Sequence, residues 1–350
     1  MFVRIEEERA PCYLPRHYYP VRLHQTLNNR YQIAAKLGWG TSSTVWLARD
    51  LYQWRWSSPS YVAVKINTNN HDNKEAAETE LRITRHITES NPQHPGHCFV
   101  RTLLASFDLQ VPSGCHVCMV LEPLHDPLWL LKQRFQGNVL PPNVVKLISK
   151  LVLEGLHYLH SECHVIHTDL KSDNILMALR DKSVLDAVAH DEIAEPIPLK
   201  KLEDRTIYLS RNDFGLQGRG SGRSVITDFG LAVHGDKVPL HRHPIQPDEY
   251  RAPEVILDSG WTYSADIWNL GAVEVIANGK ERAKYIDEEG KFKFPELIPD
   301  SRGMEDSLHH IQGEEKMAFL DFMSKMLHWK SEARSTAQEL LSDPWLSDIE

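Results

Sequence analysis

Short apolar segments alternate with turn residues in the first third of the chain. Segments 31–38, 44–50 and 61–66 are rich in β-branched and aromatic residues and are bounded by Gly, Ser or Pro, which predicts three strands. Residues 74–88 then fit a helix, because Leu81, Arg85 and Thr88 are spaced to share one face. Residues 116–124 read as a buried strand that ends at Pro123.

The remainder of the chain is predicted to be mainly helical. Apolar residues at helical spacing predict an amphipathic helix over 143–160: Val144, Leu147, Ile148, Leu151, Val152, Leu156 and Leu159. Residues 264–278 are apolar almost all round, as in a helix buried inside a lobe, and another stripe is formed by Phe319, Leu320, Met323, Met326 and Leu327. This order of elements predicts an α+β fold with two lobes and a cleft between them.

One segment carries no clear periodic pattern. Residues 177–224 mix charged residues and prolines with a glycine-rich run that ends near Gly222, which predicts a loop or an insertion.

Composition narrows the class of protein without assigning a function. The chain has 350 residues, 41% hydrophobic and 25% charged, and it has no apolar run long enough to predict a membrane span. Acidic residues near the N-terminus argue against a secretory signal, and an odd number of scattered cysteines favours reduced thiols in an intracellular protein. The net charge of −9 argues against a general affinity for nucleic acid; it is compatible with a basic protein partner, although solubility alone explains it.

A glycine-containing loop lies between the first two of these strands. Gly38 and Gly40 would let the backbone approach a polyphosphate, whereas Ser43 stands where a third glycine would complete the usual pattern. Gly-x-Gly alone is better explained by a plain hairpin turn, but Lys65 follows on an apolar strand, where a lysine can pair with phosphates. A helical glutamate would hold this lysine, and both Glu80 and Glu78 are candidates, Glu80 first.

The segment Val165-Ile166-His167-Thr168-Asp169-Leu170-Lys171-Ser172-Asp173-Asn174-Ile175-Leu176 resembles the catalytic loop of protein kinases. In that chemistry Asp169 accepts the proton of the attacking hydroxyl and Lys171 neutralises charge on the γ-phosphate. Asn174 supplies an amide oxygen to Mg²⁺. With lysine at position 171, this segment resembles that of serine/threonine kinases rather than that of tyrosine kinases.

Two Asp-Phe-Gly triplets compete for the second magnesium position. Asp228 follows a strand-like segment and lies one loop before Ala252-Pro253-Glu254, so it is the predicted ligand, and Asp213 is interpreted as a decoy within the insertion.

The resemblance extends over about residues 25–346 and is greatest to the SR-protein kinases. It is carried by 38–48, 116–122, 155–176 and 263–271, and by the place of the insertion. It implies a domain order of an extension (1–24), an N-lobe with an antiparallel sheet and one helix (25–121), a C-lobe (122–346) interrupted at 177–224, and a tail (347–350). It also implies ATP and Mg²⁺ as cofactors. The nucleotide site would be lined by Leu37, Gly38, Trp39, Gly40, Val45, Ala63, Lys65, Glu80, Glu122, Leu124 and Leu176.

Members of that family phosphorylate serines of Arg-Ser-rich splicing factors in cytoplasm and nucleus. The resemblance therefore implies a basic protein substrate, no direct nucleic acid or membrane contact, and a monomer. It further implies that Glu254 pairs with Arg334 and that Asp266 accepts hydrogen bonds from the catalytic-loop backbone, both in structural roles.

The sequence departs from the family pattern in several places. Thr168 replaces an arginine that holds an activation-loop phosphate in many kinases, and residues 231–249 contain no Ser, Thr or Tyr, which predicts activity without phosphorylation there. Pro247-Asp248 replaces a Thr-Arg pair, and Phe229 stands where leucine is frequent. The link from Gly279 to Pro295 is shorter than is usual in this family, so a catalytically impaired scaffold with a kinase fold remains the alternative. A small-molecule phosphotransferase is disfavoured, because such enzymes rarely carry Ala-Pro-Glu after the magnesium loop.

A zinc site is an alternative interpretation of Cys115 and Cys118, which have His94, His97 and Cys98 nearby. On a strand the two cysteines would point in different directions, and no second Cys-x-x-Cys follows, so core and edge positions are favoured.

Overall fold

The computed structural model describes residues 3–11, 13–52, 60–211, 222–278 and 311–347. The described part divides into two compact units. The first contains 1–88, 101–126 and 177–222, and the second contains 89–100, 127–176 and 223–350. The predicted insertion thus belongs to the same unit as the N-terminal segment, not to the unit that surrounds it in sequence.

The first unit is built on a six-stranded antiparallel sheet of order β1-β2-β3-β4-β6-β5. Its strands are β1 (Thr26–Leu27), β2 (Tyr31–Gly40), β3 (Ser43–Asp50), β4 (Tyr61–Asn67), β5 (Leu103–Val111) and β6 (Gly114–Leu121). Helix α1 (His71–Glu89) follows β4, and β7 (Leu124–Pro127) follows β6. The predictions of three strands, one helix and the strand before Pro123 are therefore confirmed.

The core of this sheet is apolar. Buried side chains of β2, β3, β4 and β6 pack with residues that precede β1 and form one cluster: Val21, Leu27, Tyr31, Ile33, Trp46, Ala48, Val62, Val64, Ile66, Cys118 and Val120. Over 31–35, β2 alternates between buried and partly buried positions, as the two-residue period of a strand requires.

Residues 177–224, predicted to be a loop or an insertion, contain regular elements over part of their length. Helix α4 (Ser183–Ala194) is followed by a hairpin of β10 (Leu199–Lys201) and β11 (Thr206–Tyr208). Val184, Leu185 and Val188 of α4 pack with Ala35 and Leu47 of the sheet. These helical residues are stabilised by burial against the sheet rather than by a pattern visible in the segment itself.

The second unit is mainly helical, as predicted. Its helices are α2 (Leu128–Gln133), α3 (Pro142–Ser161), α5 (Pro253–Ile256), α6 (Ser264–Asn278), α7 (Gly313–Met326) and α8 (Ala337–Leu341). Short strands β8 (Val165–Ile166), β9 (Ile175–Ala178), β12 (Ser224–Ile226) and β13 (Val233–His234) frame its loops. β8 and β13 pair antiparallel, which ties the segment after β12 to the start of the loop between β8 and β9.

Small side chains allow close packing around α3. A Cβ at Gly155 would approach Ile226 Cδ1 to 2.9 Å, and one at Gly96 would lie 2.1 Å from the Glu154 carbonyl oxygen. Among the described helices, none combines the length and hydropathy needed to cross a bilayer.

Candidate active site

In the first unit, the glycine loop is the hairpin between β2 and β3. Its register pairs Gly38 with Val45 and Gly40 with Ser43. A Cβ at Gly38 would meet no atom within 4 Å, and one at Gly40 would meet only Ser43 Oγ at 3.6 Å. Packing within the chain therefore does not require these glycines, which favours a role in leaving room for an approaching ligand.

Lys65 and Glu80 form an ion pair beside this hairpin. Lys65 lies on β4 between Val45 and Met119 of the neighbouring strands, and its Nζ is 2.6 Å from Oε1 of Glu80 on α1. Of the two glutamates left open by the sequence, Glu80 makes this contact, whereas Glu78 is exposed and lies 3.7 Å from Lys74.

Apolar side chains near Lys65 form a second cluster in this unit. Buried Ala63, Met119 and Leu121 pack with the partly buried Leu37 and Val45. Three residues predicted to line a nucleotide site, Leu37, Val45 and Ala63, are thus brought together by adjacent strands.

Two other predicted lining residues follow β6. Leu124 is buried, and Glu122 is partly exposed. The Glu122 carbonyl accepts a hydrogen bond from Arg101 Nη2 at 3.0 Å, and its carboxylate lies 3.1 Å from Lys182 Nζ.

In the second unit, the loop between β8 and β9 is held by a fully buried carboxylate. Asp266 of α6 accepts hydrogen bonds from the backbone N–H groups of His167 at 2.7 Å and Thr168 at 2.9 Å. A third partner is His160 Nε2 at 2.9 Å. The predicted role of Asp266 is confirmed. Burial alone would raise the pKa of Asp266, but its hydrogen bonds and the nearby histidines outweigh burial and lower it.

His167 is buried in the same loop and links it to the segment after β12. Its Nδ1 accepts a hydrogen bond from Asp169 N–H at 3.2 Å, so the proton sits on Nε2, which donates to the Thr227 carbonyl at 3.0 Å. The Phe229 ring packs edge-on against His167 at 5.4 Å between centroids.

The Asp169 carboxylate is held between two donors. Lys171 Nζ lies 2.9 and 3.1 Å from its two oxygens, and Asn174 Nδ2 donates to Oδ2 at 3.0 Å and to the Asp169 carbonyl at 2.9 Å. Since the amide nitrogen of Asn174 faces Asp169, its Oδ1 is directed away from that carboxylate. Burial lowers the pKa of Lys171, but the hydrogen bonds to Asp169 and the charges of Asp169, Asp173 and Asp228 outweigh burial and raise it.

Asp228 is tied to Asn174 through its neighbour. The Asn174 carbonyl accepts hydrogen bonds from the N–H and Oγ1 of Thr227 at 2.9 and 3.1 Å. Asp228 itself is exposed and has a left-handed backbone with φ of 66°, a conformation that costs a non-glycine residue energy and is concentrated at functional sites. Leu176, the last predicted lining residue, lies partly buried on β9.

The segment 231–254 is fixed at both ends. Thr168 Oγ1 donates to the Leu231 carbonyl at 2.8 Å, so the residue that replaces an arginine contacts this segment directly. At the far end, Glu254 forms a two-pronged ion pair with Arg334 at 2.5 and 2.6 Å, and both side chains are buried. The predicted Glu254–Arg334 pair is confirmed.

Sequence reasoning did not identify Gln246 as a structural residue. This buried residue has φ of 67°, and its Nε2 donates to the Ala265 carbonyl and to Asn269 Oδ1, both at 3.0 Å. Its Oε1 accepts from Ala252 N–H at 2.8 Å. In the sequence, a glutamine between Ile245 and Pro247 was the only local signal of this structural role. The next acid, Asp248, pairs with Arg251 at 2.8 Å.

The cysteines that the structure describes are not part of a metal-binding group. Among the described residues, no group of three or more His, Cys, Asp or Glu side chains is arranged to bind a metal ion. Cys98, Cys115, Cys118 and Cys163 are not in disulfide bonds, and burial raises the pKa of the Cys115 and Cys118 thiols. Cys12, the Asp213 triplet and the 279–295 link lie outside the described residues.

Comparisons with known proteins agree with this geometry. The family model described as "Protein kinase domain" matches residues 31–346. A serine/threonine protein kinase of Aspergillus fumigatus is 36% identical over 383 residues, which cover 98% of this chain and 91% of that protein. The serine/threonine-protein kinase SRPK of Physarum polycephalum is 28% identical, covering 98% and 92%.

A third relative matches over a shorter length. SRSF protein kinase 3 of mouse is 39% identical over 178 residues, 50% of this chain and 30% of that protein. The crystal structure of a kinase domain with 22% identity superposes with a TM-score of 0.63 and covers 95% of this chain and 99% of that one, which confirms the α+β kinase fold. With the family model spanning nearly all of its length, the chain belongs to the protein kinase family.

Proposed function

We propose that this protein kinase transfers the γ-phosphoryl group of ATP to serine or threonine side chains of Arg-Ser-rich proteins. Asp169 is the general base: its carboxylate accepts the proton of the substrate hydroxyl and directs the hydroxyl oxygen towards the phosphorus. Lys171, which already contacts that carboxylate, supplies positive charge next to the oxygens of the transferring group.

The observation that carries this proposal is the fixed position of the Asp169 carboxylate. Two donors hold its oxygens, and the backbone on its N-terminal side is hydrogen-bonded to the buried Asp266. A base that is already oriented costs no reorganisation when the reaction occurs, which is the usual source of catalytic power at such sites.

The residues present also fit magnesium and a nucleotide. Asn174 Oδ1 and the exposed Asp228 carboxylate are hard oxygen ligands on adjoining loops tied through Thr227, and Mg²⁺ prefers such ligands. When bound, Mg²⁺ would neutralise the charge of the phosphates. Lys65, held by Glu80, would pair with the α- and β-phosphates, and the cluster of Leu37, Val45 and Ala63 offers an apolar surface for the base.

Three observations favour an Arg-Ser-rich substrate. Relatives of this chain are named SRPK and SRSF protein kinase, the net charge is −9, and the exposed Asp248 adds an acid on the segment before Ala252-Pro253-Glu254. A basic peptide would be attracted to such a surface. By the same resemblance, the kinase would act as a monomer in cytoplasm and nucleus.

The test is phosphate transfer from Mg-ATP to an Arg-Ser peptide, compared between wild type, Asp169→Ala and Asp321→Asn. Asp321 is an exposed acid on α7 that pairs with the partly exposed Lys325, so Asp321→Asn controls for loss of a carboxylate elsewhere. Loss of the base should lower kcat by about 10²- to 10⁴-fold, and the control should match wild type.

A scaffold with a kinase fold would give a different pattern. Wild type and Asp169→Ala would then show the same negligible transfer while both remain folded by circular dichroism. A peptide in which lysine replaces every arginine separates substrate preference from activity: equal rates on both peptides would refute the Arg-Ser assignment but not the kinase activity.

A further inference from the structure

The tip of the glycine loop is held from outside the sheet by the N-terminal segment. Tyr18 is buried, and its Oη donates a hydrogen bond of 2.7 Å to the carbonyl of Thr41, which lies in the turn between β2 and β3. Next to this contact, Thr68 N–H donates to the Ser42 carbonyl at 2.9 Å. Two consecutive carbonyls of the loop are thus fixed by groups that are not part of the β2–β3 ladder.

Tyr18 is itself fixed by the β10–β11 hairpin of the insertion. Arg205, in the turn of that hairpin, donates through Nη1 to the carbonyls of Pro15 and Tyr18, the latter at 3.1 Å. The His17 carbonyl accepts from Asn69 N–H at 3.1 Å, and the Tyr13 ring lies 5.0 Å from that of Tyr18. Residues separated by almost 190 positions therefore meet beside the loop.

Charged side chains extend this attachment towards the start of the chain. Lys200 of β10 lies 2.8 Å from both carboxylate oxygens of Glu8. Lys36, fully buried on β2, contacts the carboxylate of Glu7, lies 3.3 Å from that of Glu6, and donates to the Tyr208 carbonyl of β11 at 3.1 Å. Lys36 stands two positions before Gly38, so the same strand that enters the glycine loop is fixed by both segments.

We propose that residues 3–11 and 13–18, together with the β10–β11 hairpin, form a brace that positions the glycine loop for nucleotide binding, with Tyr18 as the positioning residue. The brace gives the insertion a function in the same site. This inference rests on the proposed function, because it assigns the loop to the phosphates of ATP.

The physical reason lies in the loop itself. Gly38 and Gly40 make few contacts of their own, and glycine loses more backbone freedom than any other residue when it becomes ordered. A loop that is ordered before the ligand arrives avoids that cost on binding. The hydroxyl of Tyr18 remains a donor at neutral pH, since burial, assisted by the charge of Glu7, raises the pKa of Tyr18 to about 12.

The chain offers a matched pair of variants for a test. Tyr18→Phe removes the hydroxyl that contacts Thr41. Tyr19→Phe removes the adjacent hydroxyl, which accepts a hydrogen bond of 2.9 Å from Gln25 Nε2 while its ring packs on His116 at 5.5 Å. Each variant loses one buried or half-buried hydrogen bond, but only the first touches the glycine loop.

The measurements are KM for ATP, KM for peptide and kcat, together with amide hydrogen exchange of residues 38–46 without nucleotide. For Tyr18→Phe we expect KM for ATP to rise about 2- to 12-fold, the range for loss of one hydrogen bond, with kcat and peptide KM within about twofold of wild type. Exchange in 38–46 should become faster. Tyr19→Phe should leave both readouts at wild-type values.

The outcomes separate this inference from the proposed function. If Tyr18→Phe and Tyr19→Phe lower the melting temperature equally and neither changes KM for ATP or exchange in 38–46, Tyr18 is merely structural and the brace is refuted. If wild type shows no phosphate transfer, the proposed function fails, and the exchange experiment alone decides whether Tyr18 orders the loop. In that case, unchanged exchange in Tyr18→Phe overturns the brace, and faster exchange supports it.

Discussion

Replacing Arg334 with leucine removes the cation from an ion pair that is fully shielded from water. The side chains of Arg334 and Glu254 are 0% and 5% exposed, and two parallel hydrogen bonds of 2.5 and 2.6 Å join them. Arg334 also donates to the carbonyls of His328 at 2.8 Å and Ser264 at 3.0 Å. Its loss would leave a buried carboxylate and two carbonyls without this donor.

The expected cost follows from that geometry. Removing one partner of a buried pair typically lowers the free energy of unfolding by about 3–5 kcal/mol, because the remaining charge is uncompensated. Arg334→Leu should therefore lie in that range, and Glu254→Leu should be similar. The double variant should cost clearly less than the sum of the two, since it leaves no unpaired charge.

The assay is equilibrium urea unfolding of the four proteins of this cycle, with Arg30→Leu as control. Arg30 forms an equally two-pronged pair with Asp50, at 2.8 and 2.7 Å, but its side chain is 37% exposed. Such a surface pair should contribute at most about 1 kcal/mol. The reasoning would be refuted if Arg334→Leu cost no more than Arg30→Leu, or if the two single costs were additive in the double variant.

Two further predictions concern pH and modification. Burial and the neighbouring His243 lower the pKa of His241, so at this position the unfolded chain takes up a proton more readily than the folded chain. Wild type should therefore lose stability relative to His241→Phe as the pH falls through 6.5. Melting temperatures at pH 7.5 and 5.5 that differ by the same amount in both proteins would contradict this. The aromatic ring in His241→Phe keeps the stacking on Trp261, 4.6 Å away, and removes the titratable group. Phosphatase treatment should leave kinase activity unchanged, because residues 231–249 have no hydroxyl side chain and Thr168 contacts Leu231 directly. Loss of activity together with a phosphate mapped to this segment would be the contrary result.

The elements that sequence predicted best are those whose periodicity is local. Strands β2, β3 and β4 and helices α3 and α6 each carry a run of apolar residues at the period of one element, and the structure has them within a few residues of the predicted bounds. The catalytic loop was equally predictable from the sequence, because its polar residues have fixed spacing within a dozen positions.

The insertion was not predictable in the same way. Helix α4 is stabilised by Ala35 and Leu47, which precede it by well over a hundred residues, and the hairpin is fixed to Glu6, Glu7 and Glu8 through Lys36 and Lys200. The residue pattern within 177–224 does not indicate such distant partners. The choice of Glu80 over Glu78 was likewise open, because the two differ by about half a turn of α1 and only the packed helix decides which faces Lys65.

Calorimetric titration with ATP decides whether Asp228 and Asn174 bind the magnesium that accompanies ATP, as proposed above. Wild type should take up ATP in the presence of Mg²⁺ and bind it far more weakly in EDTA, while Asp228→Asn should weaken Mg-ATP binding by about tenfold or more, since it removes a charged metal ligand. Absence of Mg-ATP uptake by folded wild-type protein would contradict the account, as would binding that is the same with and without Mg²⁺ and unchanged in Asp228→Asn.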